Sequence, residues 1–337
     1  MATMPQQENE RASWATARAR LNPLRPQAAF VEQERAADGS MALVTTVLLT
    51  NRECPWRCVY CDLWKNTTTE TVPRGAIPAQ IDFALSQISN ESHGGQPARH
   101  IKLYNSGSFF DPKAIPPEDF PAIAGSVHSF ARVIVESHPT LIGEGTLRFN
   151  EMLQQRGQTL EVAMGLEVAD DALLEQMNKR MTLASFRRAA ELLGKHEIGL
   201  RVFIIVKPPF VCTDAEAELL ARRSIDFAFD CGATAVSLIP GRFGPAALDD
   251  LALTGEFFPP QLETIESALD YGIGLERGRV FADLWDIDKL SGCPCCTKER
   301  IARLRVINDD QCVRPRISCA RNATKNECDA ESSRLES

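Results

Sequence analysis

Three cysteines, Cys54, Cys58 and Cys61, stand in the stretch ECPWRCVYCDLW with C-x3-C-x2-C spacing. Thiolates so close in sequence are soft metal ligands or a redox pair, and the spacing discriminates among the options. A structural zinc site closes with four ligands, and no His or fourth Cys lies nearby in the sequence to complete one. Cys58 and Cys61 alone form a C-x2-C pair, which leaves Cys54 without a role. A [4Fe–4S] cluster on three thiolates uses all three and leaves one iron open to a small ligand.

A second group lies far downstream, in CPCCTKERIARLRVINDDQCVRPRISC, and contains Cys293, Cys295, Cys296, Cys312 and Cys319. A tight cluster followed by two spaced thiols offers four soft ligands, and zinc is the leading expectation. An auxiliary iron–sulfur cluster and scattered reduced thiols are the alternatives. Zinc here would need the segment 299–305 to form a helix and fold back, bringing Cys312 and Cys319 to the tight group. Cys212, Cys231 and Cys328 are read as structural or incidental.

The rest of the chain bounds these options. It has 337 residues, ample for one large barrel or two modest domains, with 44% hydrophobic and 24% charged residues. No apolar run approaches the roughly 18 to 20 residues of a membrane span. The first forty residues balance five Arg against five acids without an apolar segment, so a secretory signal is not expected and a reducing cytoplasm is. Eleven cysteines in such a chain point to metal binding before a disulfide scaffold. The net charge of −8 gives no general attraction to nucleic acid. Residues 297–325 hold eight Lys/Arg against three Asp/Glu, a run read first as a solvated face and second as an RNA contact.

These residues need a scaffold, and the hydrophobic pattern supplies one. Short β-branched runs at 43–49, 101–104, 133–135, 160–164, 202–206 and 235–239 predict strands. Helical spacing recurs at 79–88, 120–128, 147–155, 171–177 with 183–193, 215–228 and 260–269. Strand and helix in alternation imply a parallel sheet covered on both faces, doubly wound or curled into a barrel. The carboxyl ends of such strands carry the chemistry. Here they run into YNSGSFFD, Glu136 and Ser137, Gly165 to Glu167, Lys207 to Pro209 and PGRFG, and the loop with Cys54, Cys58 and Cys61 follows the first strand, so all should share one rim.

With its aromatic Tyr60 before the last cysteine, this loop resembles the hallmark of the radical S-adenosylmethionine (radical SAM) superfamily. The resemblance implies an α/β partial (β/α)6 TIM-type barrel over 41–272, an N-terminal extension over 1–40 and a small Cys-rich C-terminal extension over 273–337. It implies that Cys54, Cys58 and Cys61 bind the cluster, that SAM chelates the fourth iron and that Tyr60 lies near the adenine. Ser106, Gly107 and Ser108 stand where relatives have the glycine-rich turn that receives the methionyl amino group, although no acidic residue follows the glycine here. Glu167 matches a residue contacting the SAM ribose. Glu136 is a candidate for a ribose hydroxyl or for substrate, and Lys207 for the SAM carboxylate.

Within that superfamily the chain is most similar to the archaeosine-biosynthesis radical SAM lyase group, near the elongator-type, tRNA-modifying branch. IKLYNSGSFFDPKAIPPEDF, VIVESHP, EVAMGLEVADDALLEQMNKRMTLASFRRAAELL and FIIVKPPF carry the likeness in order. Its cluster loop departs from that group in having the plain three-residue spacer. The resemblance implies reductive cleavage of SAM by one electron from an external donor, a 5′-deoxyadenosyl radical, and a tRNA substrate in which a C–N bond of a lysine-modified deazaguanine is broken. The competing reading is a zinc-stabilised RNA-binding protein without radical chemistry, which would require closed four-ligand sites at both cysteine groups.

Overall fold

The computed structural model describes residues 21–88, 97–290, 293 and 295–319. Among these residues eight strands form one sheet in the order of the sequence: β1 (Ala28–Arg35), β2 (Met41–Leu48), β3 (His100–Tyr104), β4 (Arg132–Ser137), β5 (Thr159–Glu167), β6 (Gly199–Val206), β7 (Ala235–Pro240) and β8 (Arg279–Ala282). β1 pairs antiparallel with β2, and every later neighbour is parallel. The sheet thus begins before residue 41 and ends after residue 272. β1 (AAFVEQER) joins it although acids and a glutamine interrupt its apolar pattern.

The connecting helices are α1 (Ala76–Ile88), α2 (Phe120–Ser126), α3 (Glu144–Gln154), α4 (Asp171–Gln176), α5 (Leu183–Lys195), α6 (Asp214–Asp230), α7 (Ala246–Thr254), α8 (Leu262–Gly274) and α9 (Thr297–Asp310). Their starts are written locally. The Asp170 carboxylate accepts from the N–H groups of Ala172 and Leu173 at α4, and Thr182 and Thr213 cap α5 and α6 through the N–H groups of Ser185 and Glu216.

Alternation along the strands sorts the residues between two faces. Ile101 and Leu103, Leu160, Val162 and Met164, and Leu200, Val202 and Ile204 join the hydrophobic core that the helices cover. The intervening Lys102, Tyr104, Ala163, Gly165, Arg201, Phe203 and Ile205 line a cavity of 1130 Å³. Of the two arrangements that the pattern allowed, doubly wound or curled into a barrel, the sheet takes the second. Helices cover one face, and the other curls around a partly polar interior.

α9 occupies the remaining side, packing against both edge strands, β1 and β8. Its Asn308 side chain bonds the N–H and C=O of Ala282 at 2.9 and 2.8 Å, and Gln311 does the same for Val280 at 2.7 and 3.0 Å. Side-chain amides satisfy an edge that would otherwise expose unpaired backbone groups. Among the described residues no helix is long and apolar enough to cross a membrane.

Candidate active site

The loop after β2 brings Cys54, Cys58 and Cys61, with Tyr60, to the wall of the cavity at the carboxyl ends of the strands. All three cysteines are free thiols of intermediate exposure. The loop is held from several sides: Glu53 N–H donates to Thr68 O, Val59 N–H to Met177 O at 3.0 Å, and Asn178 Nδ2 to Arg57 O at 2.6 Å. Trp56 stacks on His138 with ring centroids 4.0 Å apart, and His138 Nε2 lies 2.9 Å from Lys179 O. Burial pushes the Cys54 thiol up to about 11 and Cys61 up to about 12, and raises Cys58 as well. Without a cation the three are neutral at pH 7, so a metal must displace their protons to bind.

The turn after β3 faces this loop. The half-buried Glu136 carboxylate accepts from Asn105 N–H at 2.5 Å. Burial raises its pKa, and the N–H groups of Asn105, Gly107 and Ser106 pull it back. Ser106 has φ 55°, a left-handed conformation that costs about 1–3 kcal/mol unless the surroundings enforce it. A Cβ at Gly107 would stand 3.5 Å from Cys54 Cβ, an ordinary contact, so turn and loop lie side by side here with room for little more than a methyl group. Asn105 is fully buried, and neither its Oδ1 nor its Nδ2 has a hydrogen-bond partner. Buried amides in that condition are exceptions in folded proteins.

The end of β5 carries a third feature. The register with β6 slips between Gly165 and Glu167, and Glu167 adopts φ 67°. Such a bulge re-aims a side chain. Glu167 accepts from Lys179 Nζ at 2.7 Å, both residues being buried and lining the cavity. Burial depresses the Lys179 ammonium, yet the Glu167 carboxylate beside it raises it overall. The sequence reading missed Lys179; its only signal was a basic residue in the short connection after α4.

Donor set and cradle fit a cluster with one open iron and a small polar ligand: three converging thiols, an unpartnered buried amide and a glycine where a Cβ would meet Cys54. No protein-family model matches the chain. An uncharacterized protein of Methanocaldococcus jannaschii is 23% identical over 321 residues, 88% of this chain and 85% of that one. Archaeosine synthase subunit beta of Methanosarcina acetivorans is 25% identical over 236 residues, 68% of this chain and 66% of the subunit. Among solved structures, archaeal Methanocaldococcus infernus Elp3 without residues 1–46 superposes with a TM-score of 0.50 and 13% identity, over 67% of this chain and 58% of that chain.

The fold is the α/β partial barrel that this Elp3 structure shares. Within it, the structure gathers Cys54, Cys58, Cys61, Tyr60, Ser106, Gly107, Glu136 and Glu167 around one cavity. Two candidates are placed elsewhere. Ser108 Oγ accepts from His138 N–H at 2.6 Å and braces the rim from behind. Lys207 sends its ammonium to Asp214 at 2.9 Å, and Asp214 also accepts from Gln261 N–H and Thr264 Oγ1, so this lysine ties β6 to α6 and α8. Its strand-end position was read correctly, but its φ of 58° accompanies a side chain already spent on an ion pair.

At the C-terminus the Sγ atoms of Cys293, Cys295, Cys296 and Cys319 all lie within 4.8 Å of one another. Cys312 is not among them. It follows α9, and sixteen residues at 1.5 Å each put it about 24 Å along the axis from Cys296. The basic run is also less available than expected. Arg300 pairs with Glu263 and Glu266, Arg303 and Arg316 with Asp270, and Arg314 with Asp310. Cys328, Arg321 and Lys325 lie outside the described residues.

Proposed function

We propose that this chain is a radical SAM enzyme acting on a nucleobase of tRNA. The observation that carries the reading is the trio Cys54, Cys58 and Cys61 at the mouth of a 1130 Å³ cavity, beside an unpartnered Asn105 amide. A [4Fe–4S] cluster with SAM supplies, when bound, one-electron reductive cleavage of the sulfonium and hydrogen abstraction from substrate. The electron comes from an external donor.

The chain's own groups hold and screen. Cys54, Cys58 and Cys61 supply three thiolates. Ser106 and Gly107 line the cavity beside the cysteines and bound the space for the polar end of SAM. Glu136 holds that turn by accepting its backbone N–H groups, and the Glu167–Lys179 pair presents a carboxylate for ribose hydroxyls with its charge already compensated. Phe203, Ile205, Ile239 and Phe281 give part of the cavity an apolar wall, which keeps water away from reactive species.

The tRNA substrate is favoured by the likeness to archaeosine synthase subunit beta, and that name also fits an enzyme working beside a second subunit. Anaerobic reconstitution with iron and sulfide, followed by reduction with SAM, should yield 5′-deoxyadenosine. Adding tRNA that carries the modified deazaguanine should increase the yield and alter the base. No 5′-deoxyadenosine under any reductant overturns the enzyme reading; its formation without any change in tRNA overturns only the substrate.

A further inference from the structure

The four C-terminal sulfurs make a site of definite size. Cys293 Sγ lies 3.0 Å from Cys295 Sγ and 3.4 Å from Cys319 Sγ, Cys295 Sγ lies 3.3 Å from Cys319 Sγ, and all four fall within 4.8 Å. None is in a disulfide. Four thiolates around a single ion at about 2.3 Å stand about 3.8 Å apart at the corners of a tetrahedron. Four cysteines around a four-iron cubane must stand farther out, with sulfurs about 6.4 Å apart. The set is sized for one ion. With four soft ligands it has no open position, as expected of structural zinc.

What the ion would hold is set by the chain path. Cys293, Cys295 and Cys296 sit at the start of α9, and Thr297 Oγ1 donates to Cys293 O. After Gln311 (φ 54°) the chain reverses and runs without helix or strand to Cys319. The fourteen residues of α9 span about 21 Å, and the eight residues from Cys312 can cover about 26 Å when extended, so the strap just returns to the helix start. Arg303 fastens it midway, donating to the carbonyls of Arg314 and Pro315, and Arg316 reaches Asp270 at 3.1 Å. A metal at its end would close a loop from 293 to 319 around α9.

We propose that Cys293, Cys295, Cys296 and Cys319 bind one zinc ion, and that this ion locks α9 in place as the lateral wall of the barrel. α9 packs against both β1 and β8, Asn308 and the capping Gln311 bond the β8 edge, and Arg305, Asn308 and Asp309 line the cavity. The lock does not depend on radical chemistry at the opposite cysteine group.

The test uses the full chain with Cys54, Cys58 and Cys61 all changed to Ala, so that no iron binds at the mouth. Metal analysis should find about one zinc per chain. Adding Cys319→Ser should abolish it, and adding Cys312→Ser should leave it. Iron in place of zinc, no metal, or equal loss in the Cys312→Ser and Cys319→Ser proteins overturns the assignment. If Cys319→Ser does not fold, stripping zinc from the parent protein with a chelator tests the lock directly. Hydrogen exchange at the Val280 and Ala282 amides should then quicken at least tenfold, with the β4 and β5 amides unchanged. Unchanged exchange at Val280 and Ala282 overturns the lock.

Discussion

At the carboxyl ends of β3, β5 and β6 the backbone passes through left-handed conformations at Ser106, Glu167 and Lys207. At the other end of the same strands, Lys102, Glu161 and Arg201 extend regular backbone into one buried ion network. Arg201 donates to Glu34 at 2.5 Å and to Glu161 at 2.8 Å, Lys102 to Glu34 at 2.7 Å and to Glu32 at 2.9 Å, and Arg132 to Glu161 at 2.9 Å. The mouth combines left-handed backbone, a buried amide without a partner and three free thiols, and the floor spends its charges on one another. Strain with open valence marks where a ligand goes; compensated charge marks a region that holds the barrel and shapes its interior.

That contrast breaks first, and most completely, at the cysteines. Each of Cys54→Ala, Cys58→Ala and Cys61→Ala should abolish the brown iron–sulfur chromophore and bring 5′-deoxyadenosine formation to background, because two thiolates leave the cluster under-ligated. Thermal unfolding of the apoprotein should move little, since these side chains contribute little to the core. A single variant with full iron and full SAM cleavage removes the mouth from the chemistry.

The floor should respond in the opposite sense. Arg201→Met takes away the guanidinium shared by Glu34 and Glu161, leaving two buried carboxylates short of a partner. Breaking such a pair from one side costs about 3–5 kcal/mol. Urea unfolding of the iron-free protein measures it, and iron bound per folded chain should be unchanged on reconstitution. A loss below about 0.5 kcal/mol would mean that the network is not a structural element.

Six of the eight strands, the crossover helices and the cysteine loop were legible because each rests on a local pattern: β-branched runs, helical spacing and thiol spacing. β1 and β8 were not. AAFVEQER is broken by charges that point into the barrel, and RVFA is only four residues long. The floor was readable in principle, since single charges sit at the inward positions of HIKLY, TLEVAMGLE and GLRVFIIV. Their partners, however, come from strands as far apart as Glu34 and Arg201, and no local rule pairs them. For the same reason the reading included Lys207, whose position on the rim was clear and whose partner Asp214 was not, and missed Lys179.

Acid should sharpen the contrast further. Although burial alone would raise Glu161, Arg201, Arg279 and Arg132 hold it down at about 2, against an ordinary 4.5. A carboxylate depressed in the folded state contributes its full stabilisation above the unfolded value and loses it as pH falls through the folded one. The window is therefore about pH 5 to 2, with a total on the order of 3 kcal/mol. Urea midpoints of the iron-free protein at pH 6, 4 and 3 should fall steeply, and Glu161→Gln should flatten the decline while lowering stability at pH 6. Equal slopes in the two proteins would assign the acid sensitivity elsewhere.

The smallest effect tests the fine geometry of the mouth. A Cβ at Gly107 would lie 3.5 Å from Cys54 Cβ, an ordinary contact, so Gly107→Ala should load iron normally and bind SAM within about threefold of the parent. Valine adds two γ-carbons, and the space they need is bounded by Cys54 and by the Asn105 amide, whose Nδ2 is 3.9 Å from that Cβ position. Gly107→Val should therefore weaken SAM binding about tenfold or more, worth about 1.4 kcal/mol, while cluster absorbance and urea stability stay near parental values. Isothermal titration of cluster-loaded protein reads the difference. Equal SAM affinity in the alanine and valine proteins would place the ligand away from the 105–108 turn and leave Asn105 without the partner its burial demands.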